Sequence, residues 1–481
     1  MESQKSALRA GAAEADITPP MGVQIAGDIG RYRPVEEVRE PIYARALVLE
    51  LDGRRCCLLS LDLLAVTGRW AQEIRRRAAQ RFGLDPSGIM VHVTQNHAAP
   101  CLGHTFIRDE CGLFPPEYPW LRGGDDRYNE PTVERVVNAI AAALDSLRPV
   151  SVQIGRRTDG RVAFNRRFVM RDGSVRTHPP RCDPNILYCE GPTDPEVAVM
   201  IFRSEAGAPL AALLHHTCHP VSGYPHRFII SDWPGAWSDG VKELCGNECV
   251  PLVVNGCCGN VHHTNHLDPH YKVEHREMGR KLTETTARIL EKMDALPSGI
   301  LDWRVRTVRI PLRELPAAEV ETARKLISEH PEPMWRDSTR TSVEWDWVYA
   351  AAMLDLYESR RQLPYYDYEV QAFRLGDSAL VALTGEPFVE GQLQIKLHSP
   401  APYTLVAHMC NGYVGYIPTR QALERLLRRA FRGYRNARRK NNDANIRVSH
   451  FLCDVAGEDA DRRFGRHVGA GAERLEAASA V

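Results

Sequence analysis

The chain lacks net charge, a membrane-length apolar run and a cysteine framework, and each absence excludes something. Lys and Arg number 61 and so do Asp and Glu, so no whole-protein field draws it to nucleic acid or to a membrane surface. No stretch approaches the ~18 apolar residues needed to span a bilayer, and stable membrane insertion is not expected. The N-terminus, MESQKSALRAGAAEADITPP, has no apolar core of the kind a secretory signal carries. A cytoplasmic location is the expectation. The thirteen cysteines are odd in number and include two adjacent pairs, Cys56-Cys57 and Cys257-Cys258, which is not a disulfide pattern. Cys245-x-x-x-Cys249 has the spacing of a metal clip, but no second Cys/His pair stands near it to complete a structural zinc site. No internal repeat or low-complexity linker divides the chain.

What is present is an ordinary globular composition, 43% hydrophobic and 25% charged. Apolar runs bounded by turns predict hairpins at Ala44–Glu50 with Cys57–Leu64, around Asp52-Gly53, and at Val197–Phe202 with Leu210–Leu214. Further strands are expected at Ile89–Val93, Val150–Gly155, Val250–Val254, Leu301–Leu312, Tyr368–Leu375, Ala379–Leu383 and Thr404–Met409. Helical spacing predicts helices over Trp70–Phe82, Thr132–Leu147, Trp237–Leu244, His275–Met293, Ala317–Glu329 and Val343–Leu363. The fold class is therefore α/β, or mixed α+β. One large catalytic-type domain over 1–430 has mixed sheets flanked by helices, and its strand-end loops form the site. Residues 431–481 read as a basic, polar tail: nine basic residues face the single acid Glu424 between Arg420 and Lys440.

The densest chemistry lies in LLHHTCHPVSGYPHRFIISDWPG, residues 213–235, where His215, His216, His219 and His226 follow an apolar run. Such a segment is either a wet surface loop or a strand delivering imidazoles to its exposed end, where a metal or substrate is met. Other loops share the design: Thr94-Gln95-Asn96-His97-Ala98-Ala99-Pro100, Asn255 to His266, Gly385-Glu386-Pro387, and Asn411 to Thr419. Strands fix such groups while the loops leave them accessible. Mixed His, Glu and Tyr donors with one open position suit a hydrolytic metal site, where the ion acidifies water and polarises a carbonyl.

The ordered set of motifs carries more than any one of them. Gly11-Ala12-Ala13-Glu14-Ala15-Asp16-Ile17-Thr18-Pro19-Pro20 comes first, followed by Ser60-Leu61-Asp62, the loop at 94–100 and Asn165-Arg166-Arg167. Asp194-Pro195-Glu196, Cys218-His219-Pro220, Ser231-Asp232-Trp233-Pro234-Gly235, Gly259-Asn260-Val261, Gly385-Glu386-Pro387 and Asn411–Thr419 come after. Across roughly residues 8 to 420 this chain resembles the catalytic domain of neutral/alkaline non-lysosomal ceramidases and their bacterial relatives of unassigned substrate. The resemblance implies a zinc-dependent hydrolase with His219, Glu386 and Tyr416 as ligands and His97 facing substrate.

Three departures qualify it. Where the family's T-H-x-H motif has its first histidine, this chain has Gln95, a poor zinc donor. A weakened site, substitution by His97 or His216, or a different metal or none are the alternatives. Where the family has a functionally critical serine, His262 stands in Gly259-Asn260-Val261-His262; a general acid/base, a replacement ligand and a loop histidine with no catalytic part are the alternatives. The chain is also too short for the family's C-terminal immunoglobulin-like domain, which makes a small, soluble, polar substrate more plausible than a membrane sphingolipid.

The reading is a metal-dependent, amidohydrolase-type enzyme cleaving an amide or related bond by metal-activated water. His97, His262 and Arg166 are its catalytic residues, and His219, Glu386, Tyr416 and His216 its metal residues. Arg167, Asn165 and Tyr413 are its substrate-binding residues, with the two arginines suited to a carboxylate, a phosphate or sugar hydroxyls. The rivals are a carbohydrate-active enzyme on the same scaffold and a binding relative that has lost catalysis.

Overall fold

A computed structural model describes residues 7–28, 30–108, 111–312 and 314–425. The basic tail expected at 431–481 lies outside the described residues. The architecture is mixed α/β, built on a nine-stranded sheet. Across that sheet run Val250–Asn255, Pro209–His216, Glu196–Ser204, Arg148–Thr158, Arg9–Asp16, Tyr43–Leu51, Arg54–Leu61 and Ile89–Val93, and Asp294–Leu296 adds to Arg148–Thr158. Only the outermost pairings, at either edge, are parallel; the inner ones are antiparallel. The sheet coils until its two edges meet. Ser60 Oγ–H donates to the Val253 carbonyl at 2.6 Å, and the Asn255 N–H donates to His92 Nε2 at 3.1 Å. Both edge strands therefore end at the same place, and the loops after them, 94–100 and 255–266, are neighbours.

Side-chain alternation decides which layer each residue enters. In Tyr43–Leu51, Ala44, Ala46 and Val48 face the helices Gly68–Phe82 and Asp126–Asp145. Leu47, Leu49 and Leu51 point the other way, into a second sheet of Leu301–Pro311, Tyr365–Leu375, Ser378–Leu383 and Tyr403–Ala407. A third apolar layer forms where the helices Asp232–Cys245 and His275–Leu290 cover the Pro209–His216 side. The helices Ala317–Glu329 and Trp345–Gln362 pair with each other and pack on the loop around Phe114.

Both predicted hairpins form. Leu51 and Arg54 close the first across Asp52 and Gly53, whose φ angles of +51° and +75° are those a two-residue turn of this hand demands. Residues 156–195 also fold a small sheet of Ile186–Cys189, Arg167–Met170 and Val175–Thr177. The predicted Thr132–Leu147 helix starts earlier, at Asp126, and runs to Asp145. Asp125 caps it by accepting the Arg127 N–H. Pro131 sits within its second turn, where its missing N–H removes a single helical bond.

Gly11, the first motif residue, stands opposite Val48 with the helix Asp126–Asp145 across it. A Cβ there would lie 2.0 Å from the Ala143 carbonyl oxygen and 2.8 Å from Leu147 N, both main-chain atoms. Gly11→Ala must push helix and sheet apart, and we expect a stability loss of about 3 kcal/mol, read as a lower midpoint in urea denaturation.

A polar knot ties the helix layer to the sheet. Glu40 accepts His275 Nε2–H and Arg276 Nε–H at 2.9 Å on one oxygen, and the Ser231 hydroxyl at 3.1 Å on the other. Burial opposes its charge, but these bonds outweigh it and hold the carboxyl near about 2. Its folded pKa lies below the ordinary 4.5, so its contribution is whole above pH 4.5 and is lost as pH falls through 2. Glu40→Gln is expected to flatten that acid limb in stability measured against pH.

Candidate active site

Consecutive residues of a strand face opposite sides, and that separates the histidines of 215–219. His215 points into the inter-sheet core, where its Nε2 donates to the Val406 carbonyl at 3.1 Å. His216 points to the helix layer, its ring 5.8 Å from Trp233 and its Nδ1 at the Glu196 carbonyl. The structure thus does not bring His216 to the other predicted ligands. His219 lies beyond the strand end, fully buried. Its Nδ1–H donates to the Cys258 carbonyl at 3.0 Å, which leaves a lone pair on Nε2. That Nε2 has no hydrogen-bond partner and lies 3.7 Å from Glu386 Oε2, which has none either.

Glu386 is delivered by a two-residue parallel ladder, Glu386–Pro387 with Tyr416–Ile417, whose register sets Glu386 opposite Tyr416. Its Oε1 accepts the Tyr413 hydroxyl at 2.9 Å. Burial pushes the Glu386 carboxyl up, and Tyr416, Arg166, Tyr413 and Gln95 pull against it. The Tyr416 ring lies parallel to His219, 6.4 Å away, and burial beside Glu386 raises its phenol well above the ordinary value.

The loop after Ile89–Val93 supplies the third wall. Asn96 fixes it by donating to the Ile230 carbonyl at 2.7 Å and accepting the Ala98 N–H. Gln95 takes the left-handed φ of +68°, and its side-chain oxygen accepts the Cys258 thiol at 3.3 Å. His97 lies 5.2 Å from His219, ring to ring. Its hydrogen bond to the Gly27 main chain leaves the opposite nitrogen, Nε2, buried and unpartnered. Burial, with Arg33 and Arg166 nearby, holds this imidazole at about 3, so it is neutral and basic only through Nε2. A Cβ at Gly27 would lie 2.6 Å from His97 Nδ1, which explains the glycine.

These orphaned atoms test the zinc expectation. Among the described residues no three His, Cys, Asp or Glu side chains form a metal-holding group. What does converge is His219 Nε2 and Glu386 Oε2, at a separation suited to two ligands with bonds of about 2 Å, with Tyr416 beside them. Imidazole, carboxylate and phenol are donors zinc accepts. The fourth side is the amide of Gln95.

Arg166 completes the site. It is buried, donates to the Gly259 carbonyl at 2.5 Å and lies 5.5 Å from the Tyr416 ring. His262 stands beside it, with Nδ1 accepting the Thr264 N–H at 3.0 Å, so the neutral ring carries its proton on Nε2. Arg167 and Asn165, expected to bind substrate, are drawn into the scaffold instead. Arg167 forms a buried ion pair with Glu190. Asn165 accepts the Arg167 N–H and donates to the Pro192 carbonyl. Sequence reasoning missed Cys258, which touches Gln95 and His219, and His178, whose ring meets His262 at 4.6 Å. Cys258 lay within a loop already singled out; His178 had no motif to mark it.

The chain has the fold of neutral ceramidases. It superposes on the neutral ceramidase from Pseudomonas aeruginosa with a TM-score of 0.67 at 18% identity, covering 97% of this chain and 75% of that one. On a ceramidase complexed with C2 the TM-score is 0.65 at 16% identity, with coverage of 97% and 76%. No protein-family model matches the sequence, and neither does any curated protein. Among the described residues no helix is long and apolar enough to cross a membrane.

Proposed function

We propose that this chain is a zinc-dependent hydrolase of the neutral-ceramidase type that cleaves an amide or related bond in a small, polar substrate. The observation that carries the reading is the set of buried, unpartnered atoms His219 Nε2, Glu386 Oε2 and His97 Nε2 at the strand ends of a ceramidase fold. Buried polar atoms without partners are costly unless a ligand satisfies them. His219, Glu386 and Tyr416 would hold the zinc, which when bound supplies an acidified water and an electrophile for the carbonyl.

The chain's own residues divide the remaining work. His97 offers the Nε2 lone pair to take the proton of the attacking water, since its Nδ1 is committed to Gly27. Arg166, fixed on the Gly259 carbonyl and lying against Tyr416, places a permanent positive charge where the carbonyl oxygen gains negative charge. His262 holds its proton at Nε2 and can deliver it to the leaving nitrogen. It does so without acting as a nucleophile, which fits its place where the related family has a serine.

The test is metal analysis of the purified full-length chain together with turnover of a panel of soluble N-acyl compounds. Stoichiometric zinc and chelator-sensitive release of the acyl group are expected. Protein that is purified metal-free and stays so with added zinc would overturn the reading.

A further inference from the structure

Opposite Glu386 the site has a second wall made largely of imidazoles. His178 meets His262 at 4.6 Å and His266 at 5.4 Å between ring centres, and His262 stacks on His263 at 4.3 Å. The chain goes to some strain to build it. Both His178 and Cys182 adopt φ of +53°, a left-handed conformation uncommon outside glycine. The segment between them is clamped at each end, by the His178 N–H on the Arg166 carbonyl at 3.0 Å and the Cys182 N–H on the His266 carbonyl at 2.8 Å. Strain of this kind persists where the surroundings over-determine it, and it concentrates at ligand sites.

Two cations lower the basicity of these rings, the buried Arg166 and the exposed Arg181, which donates to the Tyr271 carbonyl at 2.7 Å. Two buried polar atoms here, Arg166 Nε and His263 Nδ1, also lack a hydrogen-bond partner. Arg166 is itself more than nine-tenths buried. A buried guanidinium, imidazole N–H donors and buried polar atoms without partners describe the surroundings of a missing oxyanion.

We infer that His178, His263 and His266, with Arg166 and Arg181, form an oxyanion subsite beside His262 that takes a carboxylate or phosphate group carried by the substrate. The inference narrows the substrate class of the hydrolase proposed above and rests on that reading for its role in turnover, though not for binding itself. It sets the scissile bond between the Glu386 side and an anionic group held by the imidazoles.

The probes are inorganic phosphate and, separately, acetate, titrated calorimetrically into chelator-treated full-length protein. His178→Asn is the informative variant, because Asn tolerates the left-handed φ and keeps the main-chain bond to Arg166. His270→Asn, an exposed histidine outside the wall, is the control. Saturable binding of at least one anion is expected, weakened tenfold or more by His178→Asn and by Arg181→Ala and unchanged by His270→Asn. Which anion binds names the group. Absence of binding by either anion, binding indifferent to His178→Asn, or binding that arises only after zinc is added would each overturn the subsite. Anion binding in a protein that never holds zinc would keep the subsite and remove the hydrolase. Zinc-dependent turnover without anion binding would do the reverse.

Discussion

Alanine at His219 is expected to strip the protein of stoichiometric zinc and to reduce turnover by at least about a thousandfold. The effect is large because His219 is held to present one donor atom to Glu386. Nδ1 of His219 is committed to the Cys258 carbonyl, so the ring presents Nε2 in a single orientation, 3.7 Å from Glu386 Oε2. His216 cannot swing in, since it lies on the opposite face of its strand against Trp233. Two companions make the result interpretable. His216→Ala should leave zinc content unchanged. Glu386→Gln keeps the shape and the contact with Tyr413 but removes the charge a divalent ion needs, so it should lose metal while staying folded by circular dichroism. Metal content by mass spectrometry and turnover are the two readings. Full zinc in both His219→Ala and Glu386→Gln would place the ion elsewhere.

Much of this architecture is written in local periodicity. The hairpin at Asp52-Gly53 is specified by a turn that needs two positive φ angles between alternating apolar runs, and the helix Ala317–Glu329 matches its predicted bounds. Several elements escaped, and two of them show why. The strand Arg9–Asp16 is built of Arg, Gly, Ala, Glu and Asp, with no β-branched or aromatic residue to mark it. It forms because Gly11 allows the helix Asp126–Asp145 to approach and because Tyr43–Leu51 pairs with it along its whole length. The helix Val389–His398 also went unread, since its apolar residues follow no single face and its burial comes from the core around Ile395 and Gln392. In both cases tertiary packing overrode a weak local signal.

The site was legible as a set of loops but not as a geometry. Many of the motif residues prove to be scaffold. Asp16 accepts the Thr18 N–H, and Asp62 holds Arg45 at 2.8 Å in the core. Asp194 anchors Lys396 and Gln392, and Asp232 receives Ser222. Asp194 and Asp232 thereby fix segments adjoining the loops that carry Glu386 and His219. Sequence order does not reveal that Glu386 and Tyr416 stand opposite each other in one short ladder, or that Arg167 turns away to Glu190. Those facts depend on pairing register and on long-range ion pairs, which residue types alone do not encode.

Gln95→His is the change expected to strengthen the site. The resemblance sets Gln95 where a metal-binding histidine is expected, and its side chain neighbours both Glu386 and the Cys258 thiol. Its φ of +68° is demanding, but histidine is among the residues that enter the left-handed region more readily. A neutral amide offers a cation neither charge nor a basic lone pair, whereas an imidazole offers the latter. The substitution should therefore tighten zinc binding by about a hundredfold, or about 2.8 kcal/mol at ~1.4 kcal/mol per decade, measured by competition with a chromogenic chelator. The Cys258 thiol loses its acceptor, a small cost for a weak donor. Gln95→Ala should change affinity much less than tenfold, because the amide contributes little to begin with. If Gln95→His binds zinc no tighter than the parent, residue 95 does not face the ion, and the donors must then be sought among His219, Glu386, Tyr416 and His97 alone. Turnover gives an independent check. An added strong donor lowers the acidity a zinc ion confers on water, so Gln95→His should hold its metal better while its rate optimum moves to higher pH.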